Sequence, residues 1–148
     1  MNIQEQIEAL VQELRPHIGR YFFFNPFNGL IEESSTQWTS ISLNVFASTD
    51  KAEVEDYADC YRRLKLYQLL GKKAEKEFPI DWTNTTQEKL GTDFGTNKSA
   101  QVGTRSGHFC CLGGVWFVRE EDRLEALKIC GIDETFQEKC AKFGLGGA

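Results

Sequence analysis

The sequence predicts an α+β domain, an antiparallel sheet of about five strands packed with three to four helices. Three observations carry that prediction. Apolar residues recur at helical spacing in well-separated stretches. Short runs rich in aromatic and β-branched residues lie among them, bounded by Asn-Gly and Gly-Gly. The chain has 148 residues, 41% of them apolar, which suits one domain spanning 1–148 with its own core.

The first helix is predicted over 2–14, where Ile3, Ile7, Leu10, Val11 and Leu14 share a stripe and Pro16 follows. Tyr21 to Phe24 are strand formers, and Asn28-Gly29 is a two-residue hairpin signal. Pro26 cannot donate to a ladder, so this strand should lie at an edge or stop early. From Trp38 to Phe46 apolar and polar residues alternate, as in a strand with one dry face. Residues 50–70 read as the best helix. Asp50 can cap it with Glu53 three positions on, and Val54, Tyr57, Ala58, Tyr61 and Leu64 form its stripe. Either Gly71 closes it or the basic run extends it to Glu77, and Pro79 ends it.

Residues 81–106 are rich in Thr, Gly, Asn and Ser and read as a long loop, of the kind that is often functional or mobile. In GHFCCLGGVWFVREED the pair Gly113-Gly114 predicts a hairpin turn. It sets Leu112 against Val115, Cys111 against Trp116, Cys110 against Phe117 and Phe109 against Val118. Both faces of that hairpin are apolar and need covering, by helices or by a partner, and a homodimer is compatible with this. Glu120-Glu121-Asp122 suits a helix start. Gly131 suits its C′ position, and Asp133 can cap a last helix bearing Phe136, Cys140 and Phe143. Leu43 to Phe46 and Val115 to Val118 each run into an acidic helix start, a faint internal echo.

Several motifs suggest chemistry and fall short of it. His108 and Cys110 sit two apart on one strand face, but a zinc site needs three or four ligands, and Cys60, Cys130 and Cys140 sit at no recognised spacing. A nucleophilic Cys–His pair needs an accessible polar site, whereas these thiols lie among Phe, Leu and Trp. Core packing is the expectation for them. His17 has no visible acidic or nucleophilic partner. GTDFGTNKS resembles a phosphate loop, yet three residues separate Gly91 from Gly95 and two more precede Lys98-Ser99. No cofactor, metal or catalytic residue is therefore expected.

Charge is more informative. The formal net charge of −5 argues against a general nucleic-acid binder. Asp50, Glu53, Glu55, Asp56 and Asp59 crowd the start of the long helix, and Arg62, Arg63, Lys65, Lys72, Lys73 and Lys76 follow. Such a run complements the helix dipole and is most often a solvated face. It also offers a surface. Glu53, Glu55, Asp56 and Asp59 with Glu120, Glu121 and Asp122 are the candidate partner-binding residues, able to occupy Arg and Lys sites that normally hold phosphates. The start MNIQEQIEAL lacks a secretion pattern, and no apolar run is long enough to span a membrane. Five cysteines without a Cys-x-x-Cys pair fit a reducing compartment, so a cytoplasmic location is expected.

VWFVREEDRLEALKICG resembles a strand-to-helix tail found in small phage and prophage proteins: an aromatic strand end, Glu-Glu, then an amphipathic helix closed by Gly. Val45 to Ala52 with the long helix and Trp82 resemble the other half of such proteins. This copy has Arg119 where the usual cap is Ser or Thr. The resemblance implies origin on a mobile element. By analogy with short acidic phage proteins it implies a non-enzymatic accessory protein that binds and inhibits a host defence protein or nucleoprotein, as anti-CRISPR inhibitors do. Its contacts would be the acidic helix face and the loop 83–106. The alternatives are a nucleic-acid-binding accessory using Arg62, Arg63, Lys72, Lys73 and the Tyr21–Phe24 aromatics, and a small enzyme with an unrecognised site.

Overall fold

The structure is a computed structural model that describes residues 2–18, 21–34, 46–93, 99–102 and 111–146. Their contacts divide the chain into two compact units, Met1–Asp59 and Cys60–Ala148.

The first unit opens with α1, Ile3–Ile18, which is longer than expected and contains Pro16 in its last turn. Asn2 and Glu5 cap it reciprocally. The Glu5 N–H donates to Asn2 Oδ1 at 2.8 Å and the Asn2 N–H to Glu5 Oε2 at 3.0 Å, which satisfies two otherwise orphaned donors. Ile3, Ile7 and Leu10, the stripe that predicts this helix, are exposed.

Strands β1, Tyr21–Asn25, and β2, Leu30–Ser34, pair antiparallel with Asn25 opposite Leu30. The connection therefore has four residues, Pro26 to Gly29, rather than the two predicted. Asn side chains stabilise the longer turn: Asn25 Oδ1 accepts from the Phe27 N–H and Asn28 Oδ1 from the Leu30 N–H, each at 2.9 Å. Gly29 takes φ 72°. β1 stops before Pro26 as expected. It is central rather than an edge strand, because β3, Ala47–Ser48, pairs along its other side. The predicted strand Trp38–Phe46 lies outside the described residues except for Phe46, whose ring stacks on Tyr57 at 4.5 Å.

Helix α2 runs Lys51–Glu77, with Asp59 and Cys60, the residues either side of the division, both in it. Asp50 Oδ1 accepts from the Ala52 N–H, so it caps as predicted. Glu53 departs from the predicted capping box and instead accepts from the Ser48 hydroxyl at 2.8 Å, while the Asp50 N–H donates to Ser48 Oγ. Val54 and Ala58 are fully buried, and Phe24 packs on Tyr57 at 5.8 Å.

The second unit is built on Cys60, Leu64 and Tyr67, which continue the apolar stripe of α2. Gly71 does not end the helix; it admits a neighbour. A Cβ there would lie 2.3 Å from Val115 Cγ1, so only glycine lets the turn Leu112–Val115 come so close. In that turn Gly113 and Gly114 have φ 63° and 67°, and the Val115 N–H donates to Leu112 O at 3.3 Å. The predicted turn therefore forms, but among the described residues Cys111 does not ladder with Trp116. Phe117 exchanges both backbone hydrogen bonds with Leu90 at 2.7 and 2.8 Å, and Cys111 bridges Asp93. The Cys110–Phe117 and Phe109–Val118 pairings involve Phe109 and Cys110, which lie outside the described residues.

Leu90 belongs to β4, Lys89–Thr92, which pairs antiparallel with β5, Ser99–Val102. This hairpin lies inside the stretch expected to be one long loop. Among the described residues the single sheet of about five strands is therefore corrected to a three-stranded sheet, β2-β1-β3, and a separate β4-β5 pair. The α+β class and the number of helices hold. Helices α3, Glu120–Cys130, and α4, Glu134–Lys142, end and begin as predicted. Gly131 is left-handed at φ 63°, the Ile132 N–H reaches Leu127 O at 2.9 Å, and Asp133 Oδ1 accepts from the Phe136 N–H at 2.7 Å. Leu112, Val115, Phe117, Leu127, Ile132 and Phe136 complete the core of this unit.

Candidate functional site

The seven acidic candidates separate into two groups. Glu53, Glu55 and Asp56 are exposed and Asp59 is half-buried, all on the first turns of α2 in the first unit. Glu120, Glu121 and Asp122 form the first turn of α3 in the second unit. No single unit gathers all seven.

The α3 group is locally occupied. Arg119 Nη2 lies 2.6 Å from Glu121 Oε1, its Nε 3.5 Å from Asp122, and its guanidinium 4.2 Å from the Phe78 ring centre. Glu120 takes two hydrogen bonds from Arg123, one of them from Nε at 2.9 Å. The arginine that replaces the usual cap makes no side-chain cap bond and instead engages the acids after it.

Division of the chain also divides its charge. The first unit holds three Lys and Arg against ten Asp and Glu, a net −7, and the second holds fourteen against twelve, a net +2. The modest whole-chain value conceals a strongly acidic part. That same unit presents Phe27, 97% exposed at the tip of the β1–β2 turn, held at its N–H by Asn25. Phe27 was not among the sequence candidates. Its signal is the pairing of a four-residue turn with a large aromatic, since a turn tip has no interior to face.

Inside the second unit lies a polar chain no motif announces. Arg123, 3% exposed, donates from Nη1 to Thr92 Oγ1 at 2.9 Å, and Thr92 Oγ1 is 3.0 Å from Tyr67 Oη. Burial pushes the Tyr67 phenol up from 10.0 to about 12, against smaller opposing effects of Thr92 and Arg123. Between pH 10 and 12 the folded state thus keeps a proton that the unfolded chain releases, and stability falls as pH rises through that window. The expected slope is about 1.4 kcal/mol per pH unit. Urea midpoints at pH 9.5 and 11.5 should show this decline, and Tyr67→Phe should flatten it. An equal decline in that variant would place the titration elsewhere.

The four described cysteines, Cys60, Cys111, Cys130 and Cys140, are buried and unbridged. Burial raises the Cys130 thiol, with Arg63 partly offsetting it. Among the described residues no three His, Cys, Asp or Glu side chains gather as a metal set. His108 and Cys110 lie outside those residues, and His17 falls in the last turn of α1. The phosphate-loop resemblance resolves otherwise. Thr92 pairs with Ser99, so Gly91 to Ser99 closes a hairpin instead of leading a strand into a helix. Among the described residues no helix is long and apolar enough to cross a membrane.

The aromatic candidates for base stacking are mostly engaged: Tyr21 and Phe24 are buried, and Lys51 Nζ lies 5.9 Å from the Phe22 ring centre. Arg63 sits 4.5 Å over Phe136, whereas Arg62, Lys72 and Lys73 are exposed. No family model, curated protein or solved structure matches this chain.

Proposed function

We propose that this protein acts by binding rather than by catalysis, as a phage-type accessory protein that inhibits a host defence protein or nucleoprotein in the anti-CRISPR manner. The first unit would carry the contact. The observation behind this reading is its net charge of −7, with Glu53, Glu55 and Asp56 exposed on a capped helix. Carboxylates on a rigid element lose little freedom when they meet a basic surface, and they speed encounter with it. Phe27 adds an aromatic side chain of the kind that anchors interfaces. The acids of α3 are engaged by Arg119 and Arg123.

Reversal of Glu55, Asp56 and Asp59 to Lys should weaken partner binding by 100-fold or more, with retention of the fold checked by circular dichroism, since each typical charge contact is worth about 1 kcal/mol or somewhat above. The partner is first identified by pull-down from host lysate with mass spectrometry, and its affinity for both proteins is then measured. Equal affinities would remove the acidic face from the mechanism.

A further inference from the structure

We propose that the second unit carries a binding groove for a nucleotide, either free or as part of a single strand. The groove has a volume of about 360 Å³, within the range of small-ligand sites. Its floor is one face of α2, where Lys65, Gln68 and Lys72 follow one another at helical spacing. One wall is the Gly113-Gly114 turn, fixed to the floor by a bond from Gln68 Nε2 to Gly113 O at 3.0 Å. Gly71 lets that wall stand directly on the helix. The other wall is a pair of half-buried indoles, Trp82 and Trp116, packed edge to face at 5.9 Å.

Each feature selects part of the ligand. Indole rings offer flat apolar surface to a planar base. Lys65 and Lys72 are exposed on the helix face that floors the groove. Two ammonium groups on one helix face, about two turns apart, suit the anionic part of the ligand. Glu75 also lines the groove and disfavours anions beside it, which argues against a long phosphate chain. The second unit's net charge of +2 favours approach of an anion that the first unit would repel. This site uses none of the acidic residues assigned to partner binding, so either assignment can fail alone.

The test is tryptophan fluorescence of the full chain titrated with adenosine monophosphate, a short single-stranded oligodeoxynucleotide, ribose 5-phosphate and inorganic phosphate. Saturable quenching is expected with one or both base-bearing probes, at affinities at least tenfold better than with the base-free ones. An oligonucleotide at least tenfold tighter than the mononucleotide identifies a strand as the source; a smaller difference identifies a free nucleotide. The double variant Lys65→Ala, Lys72→Ala, altered only at exposed helix positions, should bind at least tenfold more weakly, and Lys65→Arg, Lys72→Arg should retain binding. The proposal is overturned by absence of saturable quenching up to millimolar nucleotide, by equal binding of base-free phosphate, or by quenching unchanged in the double alanine variant.

Discussion

Phe117→Ala is expected to destabilise the protein by about 3–5 kcal/mol. The side chain is 2% exposed, and its ring meets Tyr67 at 5.8 Å. It is surrounded by a core that also contains Leu112, Val115 and Leu127. Phe117 is fixed from both ends. Its backbone is bonded twice to Leu90, and α3 begins three residues later. A segment held in this way has little freedom to collapse into the space left by the ring, so the cavity term adds fully to the lost transfer energy. Urea unfolding should show a lower midpoint at an unchanged slope. Leu124→Ala, on the exposed side of α3, should change stability by no more than about 0.5 kcal/mol. A Phe117 variant as mild as that control would mean the ring is not core.

Glu120→Ala should cost about 3 kcal/mol, more than Arg123→Met. Removal of the carboxylate takes from the buried Arg123 guanidinium the two charge-assisted hydrogen bonds that Glu120 accepts. Substitution of the arginine removes the charge that needed them, and Thr92 and Tyr67 keep each other. Glu120 is itself 42% exposed, so solvent partly screens the pair and holds the cost at the low end for a buried arginine. Paired thermal and urea measurements decide the order of the two losses. The reverse order would show that the arginine contributes through its stem packing and its bond to Thr92 rather than as a charge needing compensation.

These two cases explain why some of the fold was legible and some was not. The α3–α4 region could be read residue by residue, because Gly131 and Asp133 work through local backbone chemistry that sequence spacing exposes directly. β4 could not. Lys89 and Thr92 read as polar loop residues, yet both are fully buried, and their partners lie 5 residues away for Lys89 and 25 and 31 away for Thr92. A buried strand that satisfies its polar groups through distant side chains carries no alternating pattern. The Gly113-Gly114 turn was legible, but its ladder was not, since the competing partner Leu90 was hidden in that same unread strand. Gly71 was ambiguous for a related reason. A glycine that ends a helix and a glycine that admits a neighbour look alike until Val115 is placed against it. The acidic start of α2 is legible in the sequence as a run of charge. Its concentration within one compact unit becomes visible only once the chain is divided.

The interior position of Lys89 gives the molecule a built-in reporter. Its ammonium is withdrawn from water, bonded to Asn84 O at 2.5 Å and set 5.8 Å from the Trp82 ring centre. Amine acylating reagents act on an accessible nitrogen, so this lysine is chemically silent while its surface counterparts react. Its modification records opening of the β4 region, residue by residue and without any knowledge of what the protein binds.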